Sequence, residues 1–216
     1  GPIVLHVVNA SQSTGVVPYV WKRAIMVPIH KSGDKKSPAN FRPVSVLNVI
    51  AKLAEKVVNL QILHYLTTNN ILSHTQFAYR PSHSTEDATL SLASSIAQNA
   101  DRGMVTSVTS LDLSKAFDCV ARDVLMSKLG WYGISAHWLE SYFDGRTQTV
   151  KGGTSTELVP FGVVQGGTLG PTMFNLFMND LATHVTYGRL YSYADDSQLE
   201  HCATPDSLSQ LKHHIE

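Results

Sequence analysis

The spacing of apolar residues alternates between a helical repeat and a strand-like pattern, and it predicts the order of the elements. Apolar positions recur every three or four residues after residue 45, which predicts an amphipathic helix from Ser45 to about Thr67. Ser84 and Asp87 have the spacing of a capping box and predict a second helix through residue 97. Further helices are predicted around residues 122–130, at 137–144, at 169–185 and from residue 205 onward.

Runs of β-branched or alternating residues predict the strands. Ala24–His30 is predicted as a strand that leads into a turn at Gly33-Asp34, which favours a hairpin or a flexible fingertip. Val105–Leu113 is rich in β-branched residues and predicts another strand. Two more hairpins are predicted, with turns at residues 152–153 and 195–196. This order predicts an α+β fold in which a sheet carries short helices on one face.

The composition is that of a globular chain and excludes several classes of protein. Of 216 residues, 43% are apolar and 16% are charged, which is enough to bury a core. No apolar run approaches the roughly 18 residues that cross a bilayer, and the first residues lack a secretory signal pattern. The two cysteines lack the spacing of a disulfide scaffold or a zinc site. We therefore expect an intracellular protein, nuclear or cytoplasmic, with no membrane partner.

Charge adds one further feature. Seventeen Lys and Arg balance 17 Asp and Glu, whereas nucleic-acid binders usually carry an excess of basic residues. The basic residues are nonetheless concentrated in one stretch that contains a single acid, Asp34. They are Lys22, Arg23, Lys31, Lys35, Lys36 and Arg42. Such a run is either a solvated loop or an anion-binding surface, and charge alone does not decide between them.

Three aspartates are candidates for a metal site. Asp112 lies at the end of a predicted strand, and Asp195 and Asp196 occupy a predicted hairpin turn about eighty residues later. If these strands are neighbours in one sheet, the three carboxylates converge, and oxygen ligands of this kind suit Mg²⁺ or Mn²⁺. Two such ions promote phosphoryl transfer. Alternatively, the pair satisfies a turn and Asp112 caps a helix, and these residues taken alone leave both interpretations open.

The motifs around these aspartates resemble those of reverse transcriptases. SLDLSKAFD contains Asp112, GVVQGGTLGP contains Gln165, and YADD contains the aspartate pair. Their order, from about Val17 to Cys202, is similar to that in the polymerases of non-LTR retrotransposons, with group II intron enzymes as more distant relatives. The resemblance implies a right-hand polymerase fold whose antiparallel palm sheet is packed with helices. It places the fingers at residues 3–103 and part of the palm at residues 104–216.

The resemblance also implies catalytic roles. Asp112, Asp195 and Asp196 match the catalytic aspartates that bind Mg²⁺ or Mn²⁺, with Asp112 and Asp195 as the most direct ligands. Phe117 resembles the aromatic residue that packs beneath the sugar of the incoming dNTP and excludes a 2′-hydroxyl. Without the resemblance, Phe117 is interpreted as a core aromatic residue.

Other residues resemble the nucleotide-binding positions of the family. Lys31 and Arg42 match the basic residues that hold the triphosphate, a role suited to a planar guanidinium and a mobile ammonium. Gln165 and Gly166 resemble the loop beside the nascent base pair, where a bulky backbone could not approach. Arg80, in QFAYRPSHST, matches a position that contacts template or nucleotide.

The chain departs from the family pattern at three positions. Val164 and Gly167 stand where the family usually has Pro and Ser, and Ala78 stands where it usually has Gly. Loss of the proline loosens φ in the loop, and Gly167 lacks a hydroxyl, so the placement of the loop is expected to differ.

In the family, a primer-gripping hairpin and a helical thumb follow the YADD hairpin, whereas twenty residues follow Asp196 in this sequence. We therefore expect fingers and most of a palm, with weak and salt-dependent binding of template and primer. One hypothesis is an RNA-directed DNA polymerase core that adds dNTPs to a primer paired with an RNA or DNA template. The alternative is a truncated or domesticated domain that binds nucleic acid or protein without polymerising. Exposed palm surface also predicts self-association.

Overall fold

The computed structural model of the protein describes residues 1–207. The helices are α1 (Pro2–Thr14), α2 (Tyr19–Lys22), α3 (Val49–Thr68), α4 (Thr85–Asp101), α5 (Arg122–Trp131), α6 (His137–Phe143) and α7 (Gly170–Met178). The strands are β1 (Arg23–His30), β2 (Phe41–Val46), β3 (Val105–Leu111), β4 (Thr147–Val150), β5 (Thr156–Leu158), β6 (Arg189–Tyr193) and β7 (Asp196–Ala203). The α+β prediction is therefore confirmed.

The chain forms two compact units, each made of two separate stretches. The first unit contains residues 1–70 and 117–174, and the second contains residues 71–116 together with the chain from residue 175. These units are defined by contacts within the chain. The division into fingers and palm at residues 103 and 104 stays a prediction.

The first unit contains a four-stranded sheet with the order β2-β1-β4-β5. β1 pairs with β2 antiparallel and with β4 parallel, and β4 and β5 form the predicted hairpin. The core of this unit includes Leu66 of α3, Leu125 and Leu129 of α5, and Leu139 of α6, all almost completely buried.

The predicted start of the long helix was wrong. Ser45 pairs with Met26 in the β1–β2 ladder, so the helix begins only at Val49. The side chain of Asn48 accepts a hydrogen bond from the Ile50 amide and caps the helix there. Helical spacing extends back to residue 45, but pairing with β1 satisfies the backbone of residues 41–46 as a strand.

The second unit contains a three-stranded antiparallel sheet with the order β3-β7-β6. Helix α4 packs against this sheet, and its predicted capping box between Ser84 and Asp87 is confirmed. The buried carboxylate of Glu200 on β7 joins helix and sheet. It accepts hydrogen bonds from Ser95 at 2.8 Å and Asn99 at 2.7 Å, both on α4, and from the Tyr191 hydroxyl of β6 at 2.8 Å.

One predicted helix ends earlier than expected, and another lies mostly outside the described residues. The helix predicted for residues 169–185 ends at Met178, and a short 3₁₀ helix follows at Leu181–His184. The 3₁₀ turn Pro205–Ser207 is the start of the last predicted helix, whose remainder lies outside the described residues. Within residues 1–207, no helix has the length and apolar character needed to cross a membrane.

Candidate active site

The register of the second unit's sheet brings the three predicted catalytic aspartates to one end of it. Leu111, the last residue of β3, pairs with Ser197 of β7. Continuing this antiparallel register by one position places Asp112 opposite Asp196. Tyr193 pairs with Asp196 across the β6–β7 hairpin, so Ala194 and Asp195 form a two-residue loop. The condition set by the sequence, that these strands are neighbours in one sheet, is therefore met.

The loop before Asp195 has an unusual backbone. Ala194 has φ of 58°, in the left-handed region. Two-residue hairpin loops use this region, but they favour Gly, Asn or Asp there. An alanine in this conformation costs roughly 1–2 kcal/mol. Other contacts must therefore stabilise the turn that carries Asp195.

The donor set at this end of the sheet fits a hard divalent cation. Asp112 and Asp196 are exposed and Asp195 is half-buried. Carboxylates without thiol or imidazole partners suit Mg²⁺ or Mn²⁺ better than Zn²⁺. Among residues 1–207, no three acidic, His or Cys side chains are already grouped as a metal site. Because neighbouring carboxylates repel each other, a cation would be needed to draw these side chains together.

In the first unit, the loop with the predicted base-pair contacts is fixed from two sides. The Ser45 amide of β2 donates to the Gln165 carbonyl at 2.8 Å, and the Val163 amide donates to the Phe117 carbonyl at 2.8 Å. The Gln165 side chain donates to Asp118 at 2.8 Å. Gly166 has φ of 97°, and a β-carbon there would lie 2.6 Å from the Ser45 carbonyl oxygen. A glycine is therefore required at this close approach to β2.

Phe117 is half-buried and stacks on a core residue. Its ring centroid lies 4.4 Å from that of Phe174, with an angle of 15° between the ring planes. Phe174 is almost completely buried, so it holds the Phe117 ring in a fixed orientation. Both interpretations of Phe117 from the sequence are compatible with this arrangement, since the residue stacks on the core and is only partly buried.

The β1–β2 hairpin carries the predicted triphosphate contacts. Arg42 of β2 pairs with Ile29 of β1, and the Lys31 amide donates to the Asn40 carbonyl at 2.8 Å, which continues the ladder. Residues 29 and 31 share a face of the hairpin, so the register places Arg42 and Lys31 on that same face. Both side chains are exposed.

Each predicted set of site residues belongs to one unit. The three aspartates lie in the second unit, whereas Lys31, Arg42, Phe117, Gln165 and Gly166 all lie in the first. Arg80 binds backbone carbonyls that are close to it in sequence. Its Nη1 donates to the carbonyls of Ser73 at 2.6 Å and Gln76 at 3.0 Å, and burial lowers its pKa.

A comparison with known protein families shows to which family this chain belongs. A family model described as reverse transcriptase (RNA-dependent DNA polymerase) matches residues 29–216. The chain belongs to the reverse transcriptase family. The resemblance inferred from the motifs is thereby confirmed.

The chain is similar to polymerases of insect non-LTR elements. Its sequence is 33% identical over 208 residues to a probable RNA-directed DNA polymerase from transposon BS of Drosophila melanogaster, and 31% identical over 204 residues to that from transposon X-element of the same species. Each alignment covers 88% of this chain but only 22% of the relative. The chain thus spans less than a quarter of the length of these relatives.

Solved structures agree with the reverse transcriptase fold. A structure of apo telomerase from Candida tropicalis, lacking its C-terminal domain, matches 97% of this chain and 50% of that protein with a TM-score of 0.65. A second apo telomerase structure from the same species gives a TM-score of 0.62. The sequence identity is 12% in both, so these matches concern the fold alone.

Sequence reasoning did not single out the buried carboxylate of Glu55. Glu55 of α3 is 1% exposed, and it accepts hydrogen bonds from the Tyr142 hydroxyl at 2.8 Å and from the Thr168 amide at 2.6 Å. Glu55 thereby fixes the chain between Gln165 and the start of α7. The signal was present in the sequence, because Glu55 lies one helical turn from the buried Ala51 and Val58.

Proposed function

We propose that this chain is the nucleotidyl-transfer core of an RNA-directed DNA polymerase of the non-LTR retrotransposon type. The proposal rests on the register of the second unit's sheet. This register sets Asp112 opposite Asp196, next to the loop that contains Asp195. The family and the fold support it. Its partners are then an RNA or DNA template with a primer, and its substrates are dNTPs.

Asp112, Asp195 and Asp196 would hold Mg²⁺ or Mn²⁺. When bound, the cation lowers the pKa of the primer 3′-hydroxyl and stabilises negative charge on the phosphates. Lys31 and Arg42 bind the triphosphate through charge-assisted hydrogen bonds. Phe117 packs beneath the sugar, and Gln165 and Gly166 lie beside the new base pair.

The reaction joins the primer to the nucleotide. The 3′-oxygen of the primer forms a bond to the α-phosphorus of the dNTP, and the bond from that phosphorus to the bridging oxygen breaks. Pyrophosphate leaves, and the hydroxyl proton passes to solvent. The protein contributes position and electrostatic stabilisation, which provide most of the catalysis in phosphoryl transfer.

Primer extension tests this function. The chain is incubated at low salt with a primed RNA template, dNTPs and Mg²⁺ or Mn²⁺, beside the variants Asp195→Asn and Asp101→Asn. Asp101 is an exposed residue at the end of α4, so its variant is a matched control. We expect extension by wild type and Asp101→Asn and none by Asp195→Asn. A folded wild-type chain that binds template without extending the primer would favour the alternative, a domain that binds nucleic acid without polymerising.

A further inference from the structure

A buried glutamine lies directly beneath the turn that carries Asp195. Gln76 is 5% exposed and belongs to an extended segment that runs beside β6. The Phe77 amide donates to the Ser192 carbonyl at 2.9 Å, and the Ser192 amide donates to the Thr75 carbonyl at 2.7 Å. Gln76 and Ser192 thus form a parallel β-bridge within the second unit.

The Gln76 side chain binds both backbone groups of Ala194. Its Oε1 accepts from the Ala194 amide at 3.0 Å, and its Nε2 donates to the Ala194 carbonyl at 3.3 Å. Oε1 also accepts from the Ala78 amide at 3.0 Å. The side-chain amide of Gln76 therefore bonds to Ala194 through both its oxygen and its nitrogen.

The bonds from Gln76 are made to a residue with a strained backbone conformation. Ala194 has φ of 58° and precedes Asp195 directly, and an alanine favours other conformations. Strained residues persist when surrounding contacts over-determine them. Only a side chain with both an acceptor and a donor can bind the amide and the carbonyl of one residue, and glutamine has both.

We propose that Gln76 is a positioning residue for the catalytic turn. It holds Ala194 in the left-handed conformation and thereby fixes the direction in which the Asp195 carboxylate leaves the backbone. Groups that orient metal ligands typically contribute 10–100-fold to metal affinity. This inference rests on the proposed function, because it assigns Asp195 the role of a ligand.

Asn179, which directly follows α7 and binds the same segment, provides a matched control. Its Nδ2 donates to the Ile71 carbonyl at 2.9 Å, and its Oδ1 accepts from the Ser73 amide at 2.7 Å. Asn179 therefore makes two side-chain bonds to backbone of the segment that contains Gln76, but none of them reaches the turn. Gln76→Met and Asn179→Leu each remove the polar atoms while keeping a side chain of similar size.

Two measurements on the 216-residue chain do not require activity. Amide hydrogen exchange is followed at Ala194, relative to Leu199 in β7, without metal. Mn²⁺ affinity is then measured by electron paramagnetic resonance. In Gln76→Met we expect Ala194 to exchange about tenfold faster relative to Leu199, and Mn²⁺ to bind at least tenfold more weakly. Asn179→Leu is expected to leave the exchange of Ala194 relative to Leu199, and the Mn²⁺ affinity, near the wild-type values.

A partial rescue provides a further check. Gln76→Glu keeps the acceptor for the Ala194 amide but loses the donor to its carbonyl, so its Ala194 exchange should lie between those of wild type and Gln76→Met. In primer extension, Gln76→Met should lower kcat with little change in KM for dNTP, since the proposed nucleotide contacts lie in the first unit.

The outcomes separate this inference from the proposed function. If Gln76→Met and Asn179→Leu change Ala194 exchange and Mn²⁺ affinity equally, Gln76 has only a structural role and the inference is overturned. If the wild-type chain does not extend a primer, the polymerase function fails for this chain. Ala194 exchange still decides whether Gln76 holds the turn, because that measurement needs neither metal nor substrate.

Discussion

The carboxylate of Glu55 occupies the space beside Gly167 where a side chain would begin. A β-carbon at position 167 would lie 2.8 Å from Glu55 Oε2. The glycine thus leaves room for a glutamate that the Thr168 amide holds at 2.6 Å.

Gly167→Ala should destabilise the protein. The new methyl group would push Glu55 away from the Thr168 amide, at a cost of about 1–3 kcal/mol in the free energy of unfolding. Gly130→Ala is the control, because position 130 is helical and no atom lies within 4 Å of its β-carbon site. It should be neutral or slightly stabilising. Urea unfolding of both variants measures the difference, and equal stability would contradict the prediction.

Arg122 ties a loop of the first unit to its helices. Its guanidinium donates to the carbonyls of Gly162 at 2.9 Å, Phe161 at 2.9 Å and Phe143 at 3.0 Å, and it also binds the Val159 carbonyl. Burial, with the nearby charge of Arg146, lowers its pKa to about 10.

Arg122→Lys should therefore lower the free energy of unfolding by about 2–3 kcal/mol, because an ammonium cannot reach carbonyls arranged around a planar fork. Arg102→Lys, at the exposed C-cap of α4, should change it by less than about 0.5 kcal/mol. Denaturant unfolding compares the two. A small effect at position 122 would mean that the loop carbonyls find other donors.

Tyr142 should make stability depend on alkaline pH. Burial, and to a smaller extent Glu55, raises its pKa well above the ordinary value of 10.0. The folded state then keeps a proton that the unfolded state loses above about pH 10. Stability is fully present below that pH and falls as the pH rises, by up to about 1.4 kcal/mol per unit.

Tyr142→Phe should reduce this alkaline slope, although it also removes the bond to Glu55 and so lowers stability at every pH. Part of the slope should remain, since the pKa values of Tyr79 and Tyr191 are raised too. The free energy of unfolding measured between pH 8 and about pH 11 tests the prediction. An unchanged slope in Tyr142→Phe would exclude Tyr142 as its source.

Arg42 should act on the nucleotide and not on the metal. Arg42→Ala is expected to raise KM for dNTP about tenfold, which corresponds to one lost charge-assisted hydrogen bond. Mn²⁺ affinity should not change, because the proposed ligands lie in the second unit. Lys36→Ala, an exposed residue in the β1–β2 connection, serves as the control. Equal effects of the two substitutions would point to general electrostatic attraction.

The sequence alone predicted the elements that have a local signature. The capping box at Ser84, the glycine turn at residues 152–153 and the strand before Asp112 depend on neighbouring residues, and all three are present. The motifs around Asp112, Gln165 and the YADD pair identified the family for the same reason, since each is contiguous.

Contacts between distant segments required the tertiary structure. Helical spacing could not show that Ser45 pairs with Met26, and nothing near Gln76 indicates that its amide binds Ala194, 118 residues away. Glu55 likewise bonds to residues about 90 and 110 positions further along the chain. The sequence determined which side chains are available and which local elements they form. Only the fold decided which polar groups meet, because a buried hydrogen bond depends on the positions of both partners.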